Sequence, residues 1–341
     1  MLTELPLDPS LWWKPSDDHC HTPGDTRDWC ETVWFSFMVP ERGIGGWLYA
    51  QMRPNLGTLS GGGFVWAPGG LAPWEQPYYG YQFFEPIPEN LDLTNVTFRN
   101  GVSVKCLAPG MSYDIGYRFR DSEEFVADLH FEGITPPVPH VRDAPPFVGG
   151  SSHYDQHGQV TGTIELLGET ISVDCISIRD RSWGRRPEHI GRGKGRLSYA
   201  VGSVSADESF LVFCTPVGDD PLTEREQLSS GYLLRDGVFS RLSKAERLNE
   251  YDPATGAVAT IRIEAVDELG RKLGLVGTAV SGIALPNSHL CVAATIRWDV
   301  NGRIGYGEDQ DVWPYGLFAD HIKQLASDSA GPTSSSGRTV L

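Results

Sequence analysis

Hydrophobic and polar side chains alternate along most of this chain, the pattern typical of β-strands that bury one face. The segment 32–39 is rich in β-branched and aromatic residues and ends at Pro40, and the segment 46–52 follows after a glycine-containing turn. Asn100-Gly101 separates two further alternating runs, and this dipeptide is a strong hairpin signal. The pattern therefore predicts consecutive antiparallel hairpins.

A second block of predicted strands follows a proline-rich segment, 136–150, which contains five prolines and little periodicity. We interpret this segment as a linker. The sequence then predicts two β domains, 1–135 and 151–326, and a disordered tail at 327–341. The only convincing helical pattern lies within the second domain, at 317–325.

Short strands separated by turn signals are typical of sandwiches and barrels, so the predicted fold class is all-β with two antiparallel domains and a short C-terminal helix. The chain contains 39 Gly, 24 Pro and 10 Trp residues, which fits many turns and an aromatic-rich interior. Large antiparallel barrels enclose apolar cavities. This architecture favours a hydrophobic small molecule as the partner.

The net charge of the chain argues against two other classes of partner. A net charge of -16 argues against nucleic acid or an anionic membrane surface, since both require a basic patch. No apolar stretch is long enough to cross a membrane, and the N-terminus lacks the pattern of a secretory signal, so we expect a cytoplasmic protein with reduced thiols. A homodimer is left open.

Motifs for several enzyme classes are missing from the sequence. It contains no GxSxG nucleophile elbow, no Walker A motif, and no HExxH or paired CxxC zinc motif. The sequence therefore predicts no metal and no cofactor, and candidate chemistry has to come from isolated polar residues in strand-forming segments.

The segment 178–186 places one aspartate among four arginines at the end of a predicted strand. Strand alternation directs Arg179 and Arg181 to the face opposite Asp180. A carboxyl group in an apolar cavity has a raised pKa and can act as a general acid, and Trp183 nearby could face a developing cation. The alternative is a surface turn of ion pairs.

Two further segments carry candidate side chains. In the opening strand, Glu31 and Phe35 share one face and Trp34 lies on the other; packing in a core explains the aromatic residues, but explains Glu31 less well. His153 and Asp155 begin a His-x-Asp-x-His pattern whose members share a strand face. Such a set could hold a divalent metal, or could be a polar loop.

The signature Asp180-Arg181-Ser182-Trp183-Gly184 resembles that of the lipocalin-like superfamily of hydroxyneurosporene synthase (carotenoid 1,2-hydratase). The segments 158–164 and 31–35 support the resemblance. One departure is Arg181, which stands where that superfamily commonly has His. The resemblance implies two lipocalin-like β domains with a ligand cavity, and cofactor-independent chemistry on isoprenoid-like substrates.

The leading hypothesis is an acid-catalysed lyase or isomerase that hydrates, dehydrates or isomerises a terpenoid alkene or alcohol. The predicted catalytic residues are Asp180 as the acid, with His153 or Glu31 positioning water. The predicted substrate-binding residues are aromatic, and they are Trp183, Trp34, Tyr154 and Phe35. The alternatives are a non-catalytic carrier of hydrophobic ligands, a cyclase or pericyclase-like template enzyme, and a metal-dependent enzyme that uses His153, Asp155 and His157.

Overall fold

The computed structural model describes residues 12–120, 124–140, 152–186 and 195–329. Within these ranges the chain is almost entirely β-structure, with nineteen strands and one α-helix at the C-terminal end. This confirms the prediction of an all-β protein with a short C-terminal helix. The predicted hairpin of 32–39 with 46–52 is also present, since these segments pair antiparallel.

The first unit is an eleven-stranded antiparallel sheet that curves into a half-barrel. Its strands are β1 Trp29–Val39, β2 Ile44–Arg53, β3 Thr58–Trp66, β4 Tyr78–Pro86, β5 Asn95–Thr97, β6 Val102–Ala108, β7 Ser112–Arg118, β8 Phe125–Gly133, β9 Val138–Pro139, β10 Ser152–Leu166 and β11 Glu169–Arg185. They lie in the order β4-β3-β2-β1-β11-β10-β8-β7-β6-β5, and β9 pairs with β10.

The second unit is a closed barrel in which each strand pairs with the next along the chain, and the last strand pairs with the first. Closure leaves this sheet without unpaired edges. The strands are β12 Leu197–Ser205, β13 Glu208–Pro216, β14 Arg225–Arg235, β15 Val238–Tyr251, β16 Val258–Asp267, β17 Lys272–Pro286, β18 Leu290–Val300 and β19 Arg303–Trp313.

The described residues form three hydrophobic clusters, and β1 contributes to two of them. Val33 and Phe35 pack in the half-barrel interior, whereas Trp34 packs in a second cluster with Tyr199 and Leu211 of the barrel. A third cluster fills the barrel itself. Both faces of β1 are buried, which explains why its sequence is hydrophobic at successive positions.

The change from one sheet to the other does not coincide with the proline-rich segment 136–150. Strands β10 and β11 follow that segment, yet β11 lies between β1 and β10 in the first sheet. The chain enters the barrel between Arg185 and Leu197. The sequence boundary between 1–135 and 151–326 differs from this position because β11 pairs with a strand more than a hundred residues away.

The helix α1 spans Tyr315–Ser329 and follows Pro314, so it includes and extends the predicted segment 317–325. Leu317 and His321 are its buried residues. Among the residues that the structure describes, no helix is long and apolar enough to cross a membrane. Residues 327–329 of the predicted disordered tail belong to α1, and the rest of that tail, 330–341, lies outside the described residues.

Candidate active site

Asp180 lies on the central one of three adjacent strands of the first sheet. It is on β11, where it pairs with Trp34 of β1 on one side and with Asp155 of β10 on the other. The strands β10 and β11 are joined by a two-residue turn, Leu167-Gly168, in which both residues have positive φ. Hairpin turns of this kind fix the register, so this turn places Asp155 opposite Asp180.

Side chains of these strands alternate between two separate environments, because paired residues share a face and neighbours along a strand do not. We call the face that packs against the barrel the barrel-facing side; it carries Trp34, His153, Asp155, Asp180 and Ser182. We call the other face the half-barrel interior; it carries Glu31, Phe35, Tyr154, Arg181 and Trp183.

The barrel-facing side contains a cluster of hydrogen-bonded polar side chains. His153 Nε2 lies 3.0 Å from Asp155 Oδ1 and 4.0 Å from Asp180 Oδ2. The hydroxyl of Tyr199, from barrel strand β12, donates a 2.8 Å hydrogen bond to Asp155 Oδ1. The imidazole therefore lies between two carboxyl groups, and it is hydrogen-bonded to only one of them.

Asp180 is the less tightly held carboxyl group of this pair. Burial raises its pKa to about 6, and the negative charge of Asp155 adds to this effect, while His153 and Arg186 partly oppose it. Its Oδ1 atom is buried and has no hydrogen-bond partner among the described residues. An unpaired buried oxygen is unusual, and in a protonated carboxyl it can present a proton to a ligand.

His153 tends to be charged, whereas Asp180 tends to be neutral. Burial by itself would lower its pKa, but the adjacent Asp155 carboxylate raises it above the ordinary value overall. His153 therefore tends to be positively charged and paired with Asp155. The side chain of Asp180 is 18% exposed, whereas that of Asp155 is 3% exposed, so Asp180 is the more accessible carboxyl group.

The arginines near Asp180 bind other partners. Arg185 forms an ion pair with Asp28 at 3.0 Å, and Arg186 Nη2 donates to Ser182 Oγ at 2.9 Å. The Arg186 charge lowers the pKa of Asp180 without cancelling the effect of burial. The alternative of a surface turn of ion pairs does not describe the environment of Asp180.

His157, the last member of the His-x-Asp-x-His pattern, bonds to the barrel. Its Nδ1 lies 2.7 Å from the hydroxyl of Tyr232. Burial lowers the pKa of His157 to about 3, so its ring is neutral, and its Nε2 has no partner among the described residues. Across the described part of the chain, no group of three or more His, Cys, Asp or Glu side chains is arranged to hold a metal ion.

Glu31 and Trp183 lie on the half-barrel interior, so the sheet separates them from Asp180. Glu31 Oε2 accepts a hydrogen bond from Arg181 at 2.5 Å, and His21 and Arg181 lower the pKa of Glu31 despite its burial. Trp183 stacks on His21, with ring centroids 3.7 Å apart. The structure therefore does not bring these two predicted residues to the acid.

Tyr154 and Phe35 are also on the half-barrel interior. Tyr154 stacks against Trp183, and Phe35 packs edge-on against Phe131 in the core of the half-barrel. Of the seven predicted site residues, only Asp180, His153 and Trp34 share the barrel-facing side. Two residues separated by an odd number of positions in a strand cannot share a face. Trp183 is three positions from Asp180, so the two side chains lie on different faces of the sheet.

Glu308 is a second buried carboxyl group between the two units, and sequence reasoning missed it. It lies on β19 and accepts hydrogen bonds of 2.8 Å from both Ser36 Oγ and Trp47 Nε1. Burial raises its pKa to about 7. The one available signal was the presence of three carboxyl residues within the segment 308–311, where the sequence pattern predicted no strand.

A small cavity of about 20 Å³ opens beside the polar cluster, between β9, β10 and the barrel. Its lining includes Asp155, His140, Tyr232 and Phe239. The cluster thus lies where the two units meet, in an aromatic setting that includes Trp34, Tyr199 and Phe213. A cavity of this volume has room for about one water molecule.

Residues 14–309 match the family model described as "Domain of unknown function (DUF7064)". The chain belongs to this family. No curated protein sequence matches the chain.

Two crystal structures are similar to this DUF7064 protein in fold. One is a Nitrosomonas europaea protein provisionally described as AttH (NE1406), with a TM-score of 0.52 and 14% sequence identity over 91% of this chain and 99% of that chain. The other is kievitone hydratase from Nectria haematococca, with a TM-score of 0.52 and 10% identity over 83% of this chain and 88% of that chain. At these identities the likeness establishes a shared fold.

Proposed function

We propose that this DUF7064 protein adds water to, or removes water from, an isoprenoid-like alkene or alcohol held between the two units. The observation that carries the proposal is the carboxyl group of Asp180, with its raised pKa and an unpaired buried oxygen. The fold shared with kievitone hydratase and the resemblance to the hydroxyneurosporene synthase superfamily support the same class of reaction.

In the hydration direction, protonated Asp180 transfers its proton to one alkene carbon and forms a C–H bond. The other carbon becomes a carbocation, and a water oxygen then bonds to it. The added water loses a proton to the Asp180 carboxylate, which restores the acid. Dehydration is the reverse sequence, in which Asp180 protonates the hydroxyl and water leaves. Since only a proton donor and water are needed, the proposal includes no cofactor.

The carbocation has to be stabilised by a neighbouring group that does not react with it. Trp34 is the cross-strand neighbour of Asp180 and packs against Trp47 and Tyr199, with ring centroids at 5.3 and 6.2 Å. An aromatic ring face attracts a cation without acting as a nucleophile. The aromatic residues that the two units contribute also exclude bulk water.

His153 acts as a positioning residue in this scheme. Because it is paired with Asp155, it balances that charge and limits how far the pKa of Asp180 can rise. An acid with a pKa near the working pH is the most effective proton donor. Asp155 is held in turn by the hydroxyl of Tyr199.

The carrier alternative depends on the same residue. An Asp180 side chain that was exposed or paired with Arg185 or Arg186 would have a low pKa and could not serve as an acid. The raised pKa of Asp180 favours the acid-catalysed enzyme over the carrier. A template enzyme that only folds its substrate would not require Asp180 at all.

The test is turnover of linear terpenoid alcohols such as linalool and farnesol, with gain or loss of water read by mass. We expect Asp180→Asn to lower kcat by about 10²–10⁴-fold, the usual contribution of a general acid. In the wild type, kcat should fall as pH rises through about 6, since deprotonation removes the acid. This pH dependence should be lost in the variant.

Asp174→Asn is the matched control, because Asp174 is an exposed carboxyl group on the same strand. Its turnover should equal that of the wild type. Full activity of Asp180→Asn would refute the acid role and favour the template enzyme. Saturable binding of these alcohols without any turnover by the wild type would favour the carrier.

A further inference from the structure

A cleft of about 650 Å³ lies at the free edge of the first sheet, which is within the size range of small-molecule sites. Strands β2, β3 and β4 form one wall; the turn at 286–288 and Tyr315, the first residue of α1, form the other. Phe83, Phe84 and Tyr81 supply its aromatic surface, and Gln51 lies on its polar side.

The aromatic side of the cleft is built from an irregular and strained piece of backbone. The pairing of β3 with β4 shifts register between Leu59 and Gly61, and Phe83 and Phe84 lie at this interruption. Phe84 has φ of 58°, which is rare for a bulky side chain, and the two phenylalanines are 59% and 76% exposed. Bulges at sheet edges often redirect side chains toward functional sites, and such strain persists only where other contacts maintain it.

One cross-strand row leads from this cleft to the proposed acid. Tyr81 of β4 pairs with Gly62, Gly62 with Tyr49, Tyr49 with Trp34, and Trp34 with Asp180. All these positions share the barrel-facing side. Four strand spacings separate Tyr81 from Asp180, which is roughly 19 Å.

The row is accessible at three of its five positions. Tyr81, Tyr49 and Asp180 are partly exposed, whereas Trp34 is buried and Gly62 contributes no side chain between the two tyrosines. A Cβ at Gly62 would lie 1.9 Å from the carbonyl oxygen of Gly80, so the backbone allows no larger residue there. The rings of Tyr81 and Phe83, 4.5 Å apart, connect the row to the cleft.

We infer that the cleft binds the distal, apolar end of an elongated substrate whose reacting end lies at Asp180. This inference rests on the proposed function, because it assigns the reacting end to Asp180. The ligand class is an extended apolar molecule with an alkene or hydroxyl head. A short alcohol would occupy the acid end and would not reach Phe83 or Phe84.

The experiment compares farnesol, a long prenyl alcohol, with prenol, a short one, by titration of tryptophan fluorescence. We expect the double variant Phe83→Ala/Phe84→Ala to raise the Kd for farnesol at least tenfold and to leave the Kd for prenol unchanged. Asn287→Trp, which adds a bulky ring to the lining of the cleft, should have the same selective effect without altering β4.

Trp74→Ala is the control, since Trp74 is 85% exposed and does not line the cleft. It should leave both Kd values unchanged. The inference is overturned if farnesol binds the cleft variants as tightly as the wild type, if Trp74→Ala weakens farnesol equally, or if the wild type shows no saturable farnesol binding.

Failure of the proposed function gives a different result. Asp180→Asn should lower the turnover of either alcohol by the same factor of about 10²–10⁴ while leaving both Kd values intact. Cleft-dependent farnesol binding without turnover would support the cleft and refute the reaction. Asp180-dependent turnover that is insensitive to the cleft variants would refute the cleft alone.

Discussion

At the scale of single residues, two buried carboxyl groups between the units differ in what surrounds them. Asp180 has an unpaired oxygen, whereas Glu308 accepts hydrogen bonds from Ser36 and Trp47 and also from Gln310 at 2.9 Å. Burial raises the pKa of both groups. Glu308 is therefore bound into the fold, and we expect it to affect stability rather than catalysis.

Glu308→Gln should change the pH dependence of stability. Between pH 4.5, the ordinary pKa, and about 7, folded Glu308 keeps a proton that the unfolded chain has lost. The free energy of unfolding therefore falls as pH rises through this window, by about 3 kcal/mol from this group. The variant lacks this loss, so its stability relative to the wild type should increase with pH in urea unfolding. Parallel curves for the two proteins would contradict the prediction.

At the scale of elements, the two faces of β11 carry chemically different side chains. Asp180 and Ser182 lie on its barrel-facing side, and Arg181 and Trp183 lie on the half-barrel interior. A role for Trp34 and Trp183 in the same site, which the sequence predicts, is incompatible with this arrangement. The two tryptophans can therefore be tested against each other.

Trp34→Leu should lower kcat by about tenfold, because it removes the ring beside Asp180. Trp183→Leu should leave kcat unchanged and lower the thermal midpoint, because it removes the stacking contacts with His21 and Tyr154. Steady-state kinetics and thermal unfolding of both variants measure these effects. Equal losses of kcat would place both rings at the site and refute the separation.

The hairpins were predictable from sequence because their pairing is local. Alternation and the Asn100-Gly101 signal suffice for strands that follow one another, and β5 and β6 do pair across that turn. The position of β11 was not predictable in the same way, since its partner β1 is distant in sequence. Asp180 could be proposed from its local composition, whereas Tyr199 belongs to another sheet and carries no local motif.

At the scale of the whole molecule, the interior of the barrel contains a network of buried charges. Arg247 forms two hydrogen bonds with Asp309, at 2.6 and 2.9 Å, and lies 3.6 Å from Glu226. Arg196 binds Glu226 at 2.7 Å, and both side chains are fully buried. Strands from opposite sides of the barrel wall thus meet through ion pairs as well as apolar contacts.

Arg247→Met should reduce the free energy of unfolding by about 3–5 kcal/mol, because it leaves the carboxylate of Asp309 buried without its paired arginine. Arg42→Met is the control, since Arg42 pairs with Glu169 on the surface and solvent screens that pair. Urea unfolding of the two variants measures both effects. Similar stability in the two variants would contradict the prediction.

The sequence by itself determined the properties that depend on neighbouring residues: the all-β class, the hairpins, the C-terminal helix, and the opposite orientation of Asp180 relative to Arg179 and Arg181. A strand repeats every two residues, so local spacing is enough for each of these. The tertiary structure alone decided which faces meet. It placed β11 between β1 and β10, brought Tyr199 and Glu308 from the barrel to the first sheet, and separated Glu31 and Trp183 from the acid. These contacts join residues far apart in the chain, and burial between two sheets, which no local pattern encodes, is what raises the pKa of Asp180.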